Sequence, residues 1–186
     1  MAESPVTVYQ GGTLAQQVLS SAPEGMLIAP VWRRIAAFAI DVIAMSLFLH
    51  VLSRFTFLEI LISWNYLVED ARYAASFLMT WALFFGSLWL YWKYTGRAYG
   101  RSLGQRAFRI AIVHDNGTLL ELHHFGPRAF HKLRYLVPVL GWLFGLRDVL
   151  RARSKTAEYR TSIDVSNHTV AAVDWSLPSD TRLNLK

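Results

Sequence analysis

The chain has 186 residues, of which 53% are hydrophobic and only 17% are charged. Because soluble domains usually have about a quarter of their residues charged, this composition argues against a soluble globular protein. The absence of cysteine excludes disulfides and thiolate sites, and in a membrane protein the net charge of +6 indicates anionic headgroups rather than nucleic acid as the partner.

Residues 1–31 form the first segment, with Glu3 and Glu24 as the only charged residues and three interrupting prolines. A signal peptide begins with basic residues and continues into an apolar core. Neither feature is present, so we expect a polar N-terminal tail on the cytoplasmic side, followed by a membrane domain over residues 32–173.

Two long apolar segments follow this tail. Residues 35–52 contain Asp41 and His50 as their only ionisable groups, and residues 73–92 are uncharged and rich in aromatic side chains. The first segment, as a helix, reaches roughly 27 Å, which is close to the hydrocarbon thickness of a bilayer. We predict that both segments are transmembrane helices. Residues 55–68 between them are apolar but shorter than a span, which predicts an amphipathic helix at the outer interface.

A third apolar segment, residues 135–146, is too short to cross a bilayer as a straight helix, and Pro138, Gly141 and Gly145 interrupt it. Residues 93–134 hold eight Lys or Arg and residues 147–160 hold five, so basic residues lie on both sides of it. The positive-inside rule places both groups in the cytoplasm. The segment is therefore predicted to be re-entrant or interfacial, and a third span with an outside C-terminus is the alternative.

Residues 109–113 and 118–122 have β character and flank an Asn116-Gly117 pair, which is a strong hairpin signal. Thr169–Val173 is a further short β-like stretch. We predict a small cytoplasmic β-hairpin, to which this stretch adds a third strand. Residues 174–186 are predicted to be a polar, loosely ordered C-terminal tail.

Asp41 is the strongest functional candidate, because a carboxylate deep in an apolar helix is costly unless it is paired or protonated. Two interpretations stay open: an ion or proton site, and a buried structural hydrogen bond between helices. Arg34 shares a helix face with Asp41 but lies about 10 Å away along the axis, so each needs a partner from elsewhere.

Three blocks of the sequence, residues 32–41, 100–117 and 160–170, resemble the RDD family of membrane proteins. The resemblance implies that Arg34 and Asp41 are the family's arginine and first aspartate and that Asp164 is the second aspartate. It implies no general activity, although sodium/proton exchange has been proposed for some members. Since Arg34 and Asp164 are both expected at the inner face, we predict that they form an ion pair.

Glycines at a spacing of four indicate close packing in two places. Gly100 and Gly104 are predicted to form a turn or a packing point, because no Lys-Ser/Thr follows for a phosphate loop. Gly141 and Gly145 allow another helix to approach closely, or act as a hinge.

No metal site, cofactor or catalytic group is predicted. His123, His124 and His131 have no ligand spacing typical of a metal site, and His50 lies on the opposite helix face from Asp41. The predicted protein is a non-enzymatic component of the cytoplasmic (inner) membrane with both termini in the cytoplasm.

Two function classes remain from the sequence. In the first, the protein moves protons or monovalent cations with Asp41 as the carrier group. Because two spans enclose no pathway, this version needs a homo-oligomer or another partner. In the second, the protein is an accessory or assembly subunit of a larger membrane complex.

Overall fold

The computed structural model describes residues 8–9 and 12–185, and helices dominate it. Two of them are long and apolar enough to span a membrane. In each, only 17% of an apolar stretch of 18 residues is buried inside the protein. They are α1 (Val31–Leu52) and α4 (Ala71–Tyr99). Both coincide with predicted spans, and their largely exposed apolar surfaces suit contact with lipid.

The ends of the long helices follow ordinary capping rules. Pro30 precedes α1 in an extended conformation, and the Asp70 side chain accepts a hydrogen bond from the Arg72 backbone at the start of α4. At the other end of α4, Gly100 adopts the left-handed conformation with a φ of 71°, which favours glycine and stops the helix.

The connection between the spans contains two short helices where the sequence predicted one. They are α2 (Phe57–Ile62) and α3 (Tyr66–Glu69). The rings of Phe57 and Phe84 lie 5.8 Å apart, so α2 packs against the middle of α4.

A five-stranded antiparallel sheet lies beside the helices, with the strand order β1-β2-β3-β5-β4. The strands are β1 (Val8–Tyr9), β2 (Gly12–Leu14), β3 (Leu27–Ile28), β4 (Ile110–His114) and β5 (Thr169–Val173). The predicted third strand, Thr169–Val173, is thus present, and it is the neighbour of β4 along five residue pairs.

The predicted hairpin is wrong in its second strand. The Asn116-Gly117 turn does form, with the His114 amide donating to the Thr118 carbonyl at 2.9 Å. Residues 118–122, however, make only one isolated bridge, between Val113 and Leu119. β4 lies at the edge of the sheet, so the ladder with β5 and this bridge use its two opposite edges. The second strand is cut short because the chain turns away in the 3₁₀ helix Leu122–His124, which leads into the helix that begins at Phe125.

Different parts of the chain pack on the two faces of the sheet. The helix-side face packs against Ala37 of α1 and contains Ile110, Ile112, Ala171 and Val173. The tail-side face contains Ala111, Val113, Val170 and Ala172, and chain segments from both ends of the protein cover it.

Both predicted tails contribute to this core within the residues that the structure describes. Ala15 and Met26, which flank β2 and β3, are fully buried on the tail-side face. After β5, Leu177 is buried on the same face, and the hydroxyl of Thr181 in α9 (Ser179–Leu183) donates to the Gly117 carbonyl at 2.8 Å. Within the described residues, the C-terminal segment that was expected to be loose is therefore ordered.

The remaining helices connect the spans to the sheet. They are α5 (Leu103–Ala107), α6 (Phe125–Leu133), α7 (Leu140–Arg153) and α8 (Ser162–Ser166). The 14 residues of α7 reach only about 21 Å, which is too short to span a bilayer as a straight helix. It begins after the break at Pro138, within the predicted third apolar segment.

Candidate functional site

Asp41 lies in α1 with only 1% of its surface exposed, and its carboxylate accepts four hydrogen bonds. Oδ1 accepts from the Tyr91 hydroxyl and the Gly104 amide, both at 2.8 Å. Oδ2 accepts from Trp92 Nε1 at 3.0 Å and from the Ser102 hydroxyl at 2.6 Å. All four donors are uncharged, and they come from α4 and from the first turn of α5.

Helix α5 is built to present these donors. Ser102 caps it, accepting from the Gln105 amide, while the Gln105 side chain accepts from the Ser102 amide at 2.9 Å. The Leu103 amide donates to the Tyr91 hydroxyl at 3.0 Å. Backbone amides at the start of α5 have no partner within the helix. Here they donate to Asp41 and to Tyr91, which is itself a donor to Asp41.

Gly104 allows α5 to approach α1 this closely. A Cβ at this position would lie 2.0 Å from the carbonyl oxygen of Ala37 and 3.0 Å from Asp41 Oδ1. The two glycines of the predicted motif therefore have separate roles, since Gly100 ends α4 and Gly104 permits the contact with α1.

Lys132 of α6 lies close to this site, with Nζ 5.1 Å from the centre of the Trp92 ring. Burial lowers the pKa of Lys132 to about 8, although the nearby carboxylate of Asp41 acts in the opposite direction. A cavity of about 20 Å³, lined in part by Ser102, Gln105, Arg128 and Lys132, adjoins the site and is large enough for one water molecule.

Asp164 forms a second buried acidic site at the start of α8, with 3% of its surface exposed. Its Oδ1 accepts from Arg128 Nη2 at 2.8 Å, and its Oδ2 accepts from Arg34 Nη1 at 3.4 Å and from the Thr161 hydroxyl at 2.8 Å. Burial alone raises the pKa of the Asp164 carboxyl, but Arg128 and Arg34 hold that pKa below its ordinary value.

The Arg34–Asp164 contact is the one that the sequence predicts, and it connects α1 to the sheet. Arg34 also donates to the carbonyls of Ala29 at 2.9 Å and Ala171 at 3.5 Å. Arg128 donates to the Thr169 hydroxyl as well as to Asp164. Sequence reasoning missed Arg128, because nothing local in the sequence distinguishes a basic residue that turns inward.

A third buried acid, Asp148 of α7, has 3% of its surface exposed and was not a sequence candidate. It accepts from the Tyr135 hydroxyl and from Arg134, and also from the Ser162 amide at 3.1 Å and hydroxyl at 2.7 Å. One feature of the sequence could have indicated that Asp148 is buried. It lies seven residues after Gly141, and this spacing places both residues on the same face of α7, which is the buried one.

The RDD family model matches residues 28–155, which is more than half of the chain. The chain belongs to the RDD family. The matched range includes Arg34 and Asp41 and ends before Asp164. No curated protein and no solved structure matches the chain. Family membership and the two long apolar helices together identify a small membrane protein.

The glycines of α7 in this RDD protein differ from each other. A Cβ at Gly141 would lie 2.3 Å from the Tyr135 carbonyl oxygen, so the chain packs tightly where it turns into α7. At Gly145 nothing lies within 4 Å of the added Cβ. The close approach is therefore between α7 and the turn before it.

The histidines are placed apart from the buried acids of the RDD protein. His50 Nδ1 accepts from the Leu58 amide at 3.4 Å, in the connection that follows α1. The potential ligand atoms of Glu121, His123 and His124 all lie within 4.8 Å of one another, but the side chains of Glu121 and His123 are about 70% exposed. The expected absence of a metal stays a prediction.

Proposed function

We propose that this RDD protein is a non-catalytic accessory or assembly subunit of a larger complex in the cytoplasmic membrane, with its sheet on the cytoplasmic side. The supporting observation is the saturation of Asp41. An ionised carboxylate has about four acceptor sites, and Asp41 uses four on fixed donors of its own chain. A carrier group instead has to exchange its partners with an ion or with water.

In this proposal Asp41 is a structural joint between α1, α4 and α5. A buried carboxylate with all its hydrogen bonds satisfied stabilises one arrangement of these helices, and the loss of any donor is costly. The joint keeps the start of α5, and through it β4, at a constant position relative to the spans.

The ion pairs of Asp164 support the same role. Arg34 and Arg128 reach one carboxylate from α1 and α6, so the sheet is held at both helices. A sheet attached in this way to one span and to α6 is suited to holding a partner at a constant distance from the bilayer. The exposed apolar surfaces of α1 and α4 are available for partner helices or lipid.

The orientation in this proposal follows the charge distribution. Residues 93–134 and 147–160 are strongly basic, whereas the connection 53–72 has three acidic and two basic residues. The positive-inside rule therefore favours the sheet and both described ends of the chain in the cytoplasm.

A second candidate function is proton or monovalent cation movement with Asp41 as the carrier. The observation that favours it is the water-sized cavity beside Ser102, which Lys132 also lines. A lysine with a pKa of about 8 exchanges protons near neutral pH, next to an acid within a span. This version also needs a second copy or another protein to complete a pathway.

Co-purification tests the proposed function. Wild type, Asp41→Asn and the exposed control Glu59→Gln are extracted in mild detergent after cross-linking in native membranes, and co-purifying proteins are identified. We expect wild type and Glu59→Gln to retain the same larger membrane protein and Asp41→Asn to lose most of it. Wild type that purifies only as itself, with or without cross-linking, contradicts the accessory role.

A further inference from the structure

The chain contains the same structural unit twice, 59 positions apart. Each unit is a short capped helix, then one residue in the left-handed conformation, then a fully paired strand. The first unit is α5 and β4, with Arg109 at a φ of 53°, and the second is α8 and β5, with His168 at a φ of 49°. Both helices begin with a capping box, formed by Ser102 with Gln105 and by Thr161 with Asp164.

A local two-fold axis relates the two units. In the β4–β5 ladder, Ile112 lies opposite Ala171, which is its own counterpart 59 positions later. The ion pairs are exchanged in the same way. Arg101 of the first unit pairs with Asp174 at 3.0 Å, and its counterpart Arg160 pairs with Asp115, the counterpart of Asp174, also at 3.0 Å.

The side chains that bind the start of each short helix follow the same two-fold relation. In each unit an aspartate accepts from a tyrosine hydroxyl and from a serine at the start of the short helix. The groups are Asp41, Tyr91 and Ser102 for α5, and Asp148, Tyr135 and Ser162 for α8. The segment from α6 to α7, with Tyr135 in the turn between the two helices, therefore serves the second unit as α1 and α4 serve the first.

The two helix pairs lie on one face of the sheet. The two-fold axis of an antiparallel strand pair runs perpendicular to the sheet, so it keeps related elements on the same side. Contacts agree with this, because Phe125 of α6 packs into the same helix-side cluster as Ala37 of α1. Helix α7 also contacts α1 directly.

Helix α7 presents an apolar face away from the protein. We define the α7 apolar face as Val139, Trp142, Leu143, Leu146 and Leu150, whose exposed fractions run from 60 to 85%. The opposite side of the helix carries the buried residues Gly141, Asp148 and Ala152. A helix on a water-exposed surface normally has polar residues there, so this face requires a cover.

We propose that the α7 apolar face inserts into the cytoplasmic leaflet of the same bilayer that α1 and α4 span, with α7 lying along the interface. Two observations select lipid as the occupant. Helix α7 contacts α1, whose exposed side chains are themselves apolar, so both helices offer apolar surface to one bilayer. The exposed basic residues Arg147 and Arg153 border it, which matches anionic headgroups.

The proposed insertion explains why the second helix pair is short. With 14 residues, α7 does not cross the bilayer but reaches the interface from the same side of the sheet as the spans. The RDD protein would then contact the membrane through two spans and one interfacial helix. This inference holds for either proposed function, since it concerns only the position of α7.

Spin labelling tests the inference, and the chain suits it because it contains no cysteine. Trp142→Cys and Leu146→Cys are labelled with a nitroxide in vesicles of phosphatidylglycerol and phosphatidylcholine. Met79→Cys, 71% exposed in α4, is the lipid reference, and Asn116→Cys in an exposed turn is the aqueous reference. Collision rates with oxygen and with a water-soluble nickel complex are measured.

We expect both α7 labels to collide with oxygen more often than the label at position 116, and with nickel several-fold less often than that label. Nickel collisions equal to those at position 116 would mean that the face is in water, and would overturn the proposal. Low collision rates with both reagents would also overturn it, because they indicate a protein partner. Trp142 is 85% exposed, so its replacement leaves the fold unchanged, and an unaltered melting temperature checks this.

Discussion

Arg128 and Asp164 lie 2.8 Å apart, and both are more than nine-tenths buried. The pair joins α6 to the first turn of α8, directly before β5. Arg34 reaches the other oxygen of the same carboxylate at a longer distance of 3.4 Å. The carboxylate thus holds α1 and α6 to the sheet. Arg128, the more buried of the two arginines, makes the shorter contact.

We predict that Arg128→Met destabilises the protein more than Arg34→Met. Removing one partner of a buried ion pair costs about 3–5 kcal/mol, because the remaining charge is left uncompensated. Arg128→Met also removes the hydrogen bond to Thr169. Arg34→Met, in contrast, leaves Asp164 with its shorter contact, the one to Arg128. Thermal unfolding in detergent measures both, with the exposed Arg106→Met as control, and a larger loss for Arg34→Met contradicts the prediction.

The pH dependence of stability reports on Asp164. Its folded pKa is held below the ordinary value of about 3.9, so the carboxylate contributes stability that is fully present above that pH. This contribution is lost as the pH falls through the folded pKa. We expect the melting temperature of wild type to exceed that of Asp164→Asn by a constant amount above about pH 4 and by less at lower pH. A difference that grows on acidification has the wrong sign.

Lys132 has the same sign of linkage as Asp164, in a window at higher pH. Its folded pKa is about 8, compared with about 10.4 in an unfolded chain, so the unfolded state binds more protons between these values. Stability should therefore rise with pH in this window, and Lys132→Met should remove that rise. Melting temperatures measured from pH 7 upward check this, and the exposed Lys155→Met should keep the wild-type slope.

Gly104→Ala tests the contact between α5 and α1. The new Cβ would lie 2.0 Å from the Ala37 carbonyl, so the helices must separate, and overpacking of this kind costs about 1–3 kcal/mol. The matched control is Gly86→Ala in α4, where nothing lies within 4 Å of the new Cβ. Because alanine favours a helix by about 0.5–1 kcal/mol over glycine, this control should be neutral or stabilising. Equal effects from both substitutions in unfolding measurements would contradict the close approach.

The sequence predicts the spanning helices well, because a long apolar run has few alternative structures. It also predicts the Arg34–Asp164 contact, since both charges are expected at the inner membrane face and each needs a partner. For Asp41 it leaves open an ion site and a structural hydrogen bond, and the four donors in the structure favour the second.

Long-range pairing was beyond the reach of local patterns. The Asn116-Gly117 signal is correct for the turn, but the partner of β4 is β5, more than fifty residues away in the chain. Strands β2 and β3 are only three and two residues long, too short to show an alternating pattern. Asp148 was missed because its donors Tyr135 and Ser162 lie in separate segments.

The internal two-fold axis also leaves little trace in the sequence. The counterparts Ser102 and Thr161 share a capping role, and Gln105 and Asp164 close the same capping box with different groups. Among the strand residues, only the three central counterpart pairs are both apolar, and none of the pairs is identical. The relation becomes visible through the backbone conformation at Arg109 and His168 and through the exchanged ion pairs.

We propose that Asp41 is a structural joint and not a carrier. Ion flux distinguishes the two roles, measured through purified wild type and Asp41→Asn, reconstituted at equal protein density in vesicles with an imposed proton gradient. We predict that neither protein dissipates the gradient in sodium or potassium, and that Asp41→Asn has a lower melting temperature, since its amide presents a donor to donors. Flux through wild type that Asp41→Asn abolishes at unchanged melting temperature would contradict the claim and establish Asp41 as the carrier.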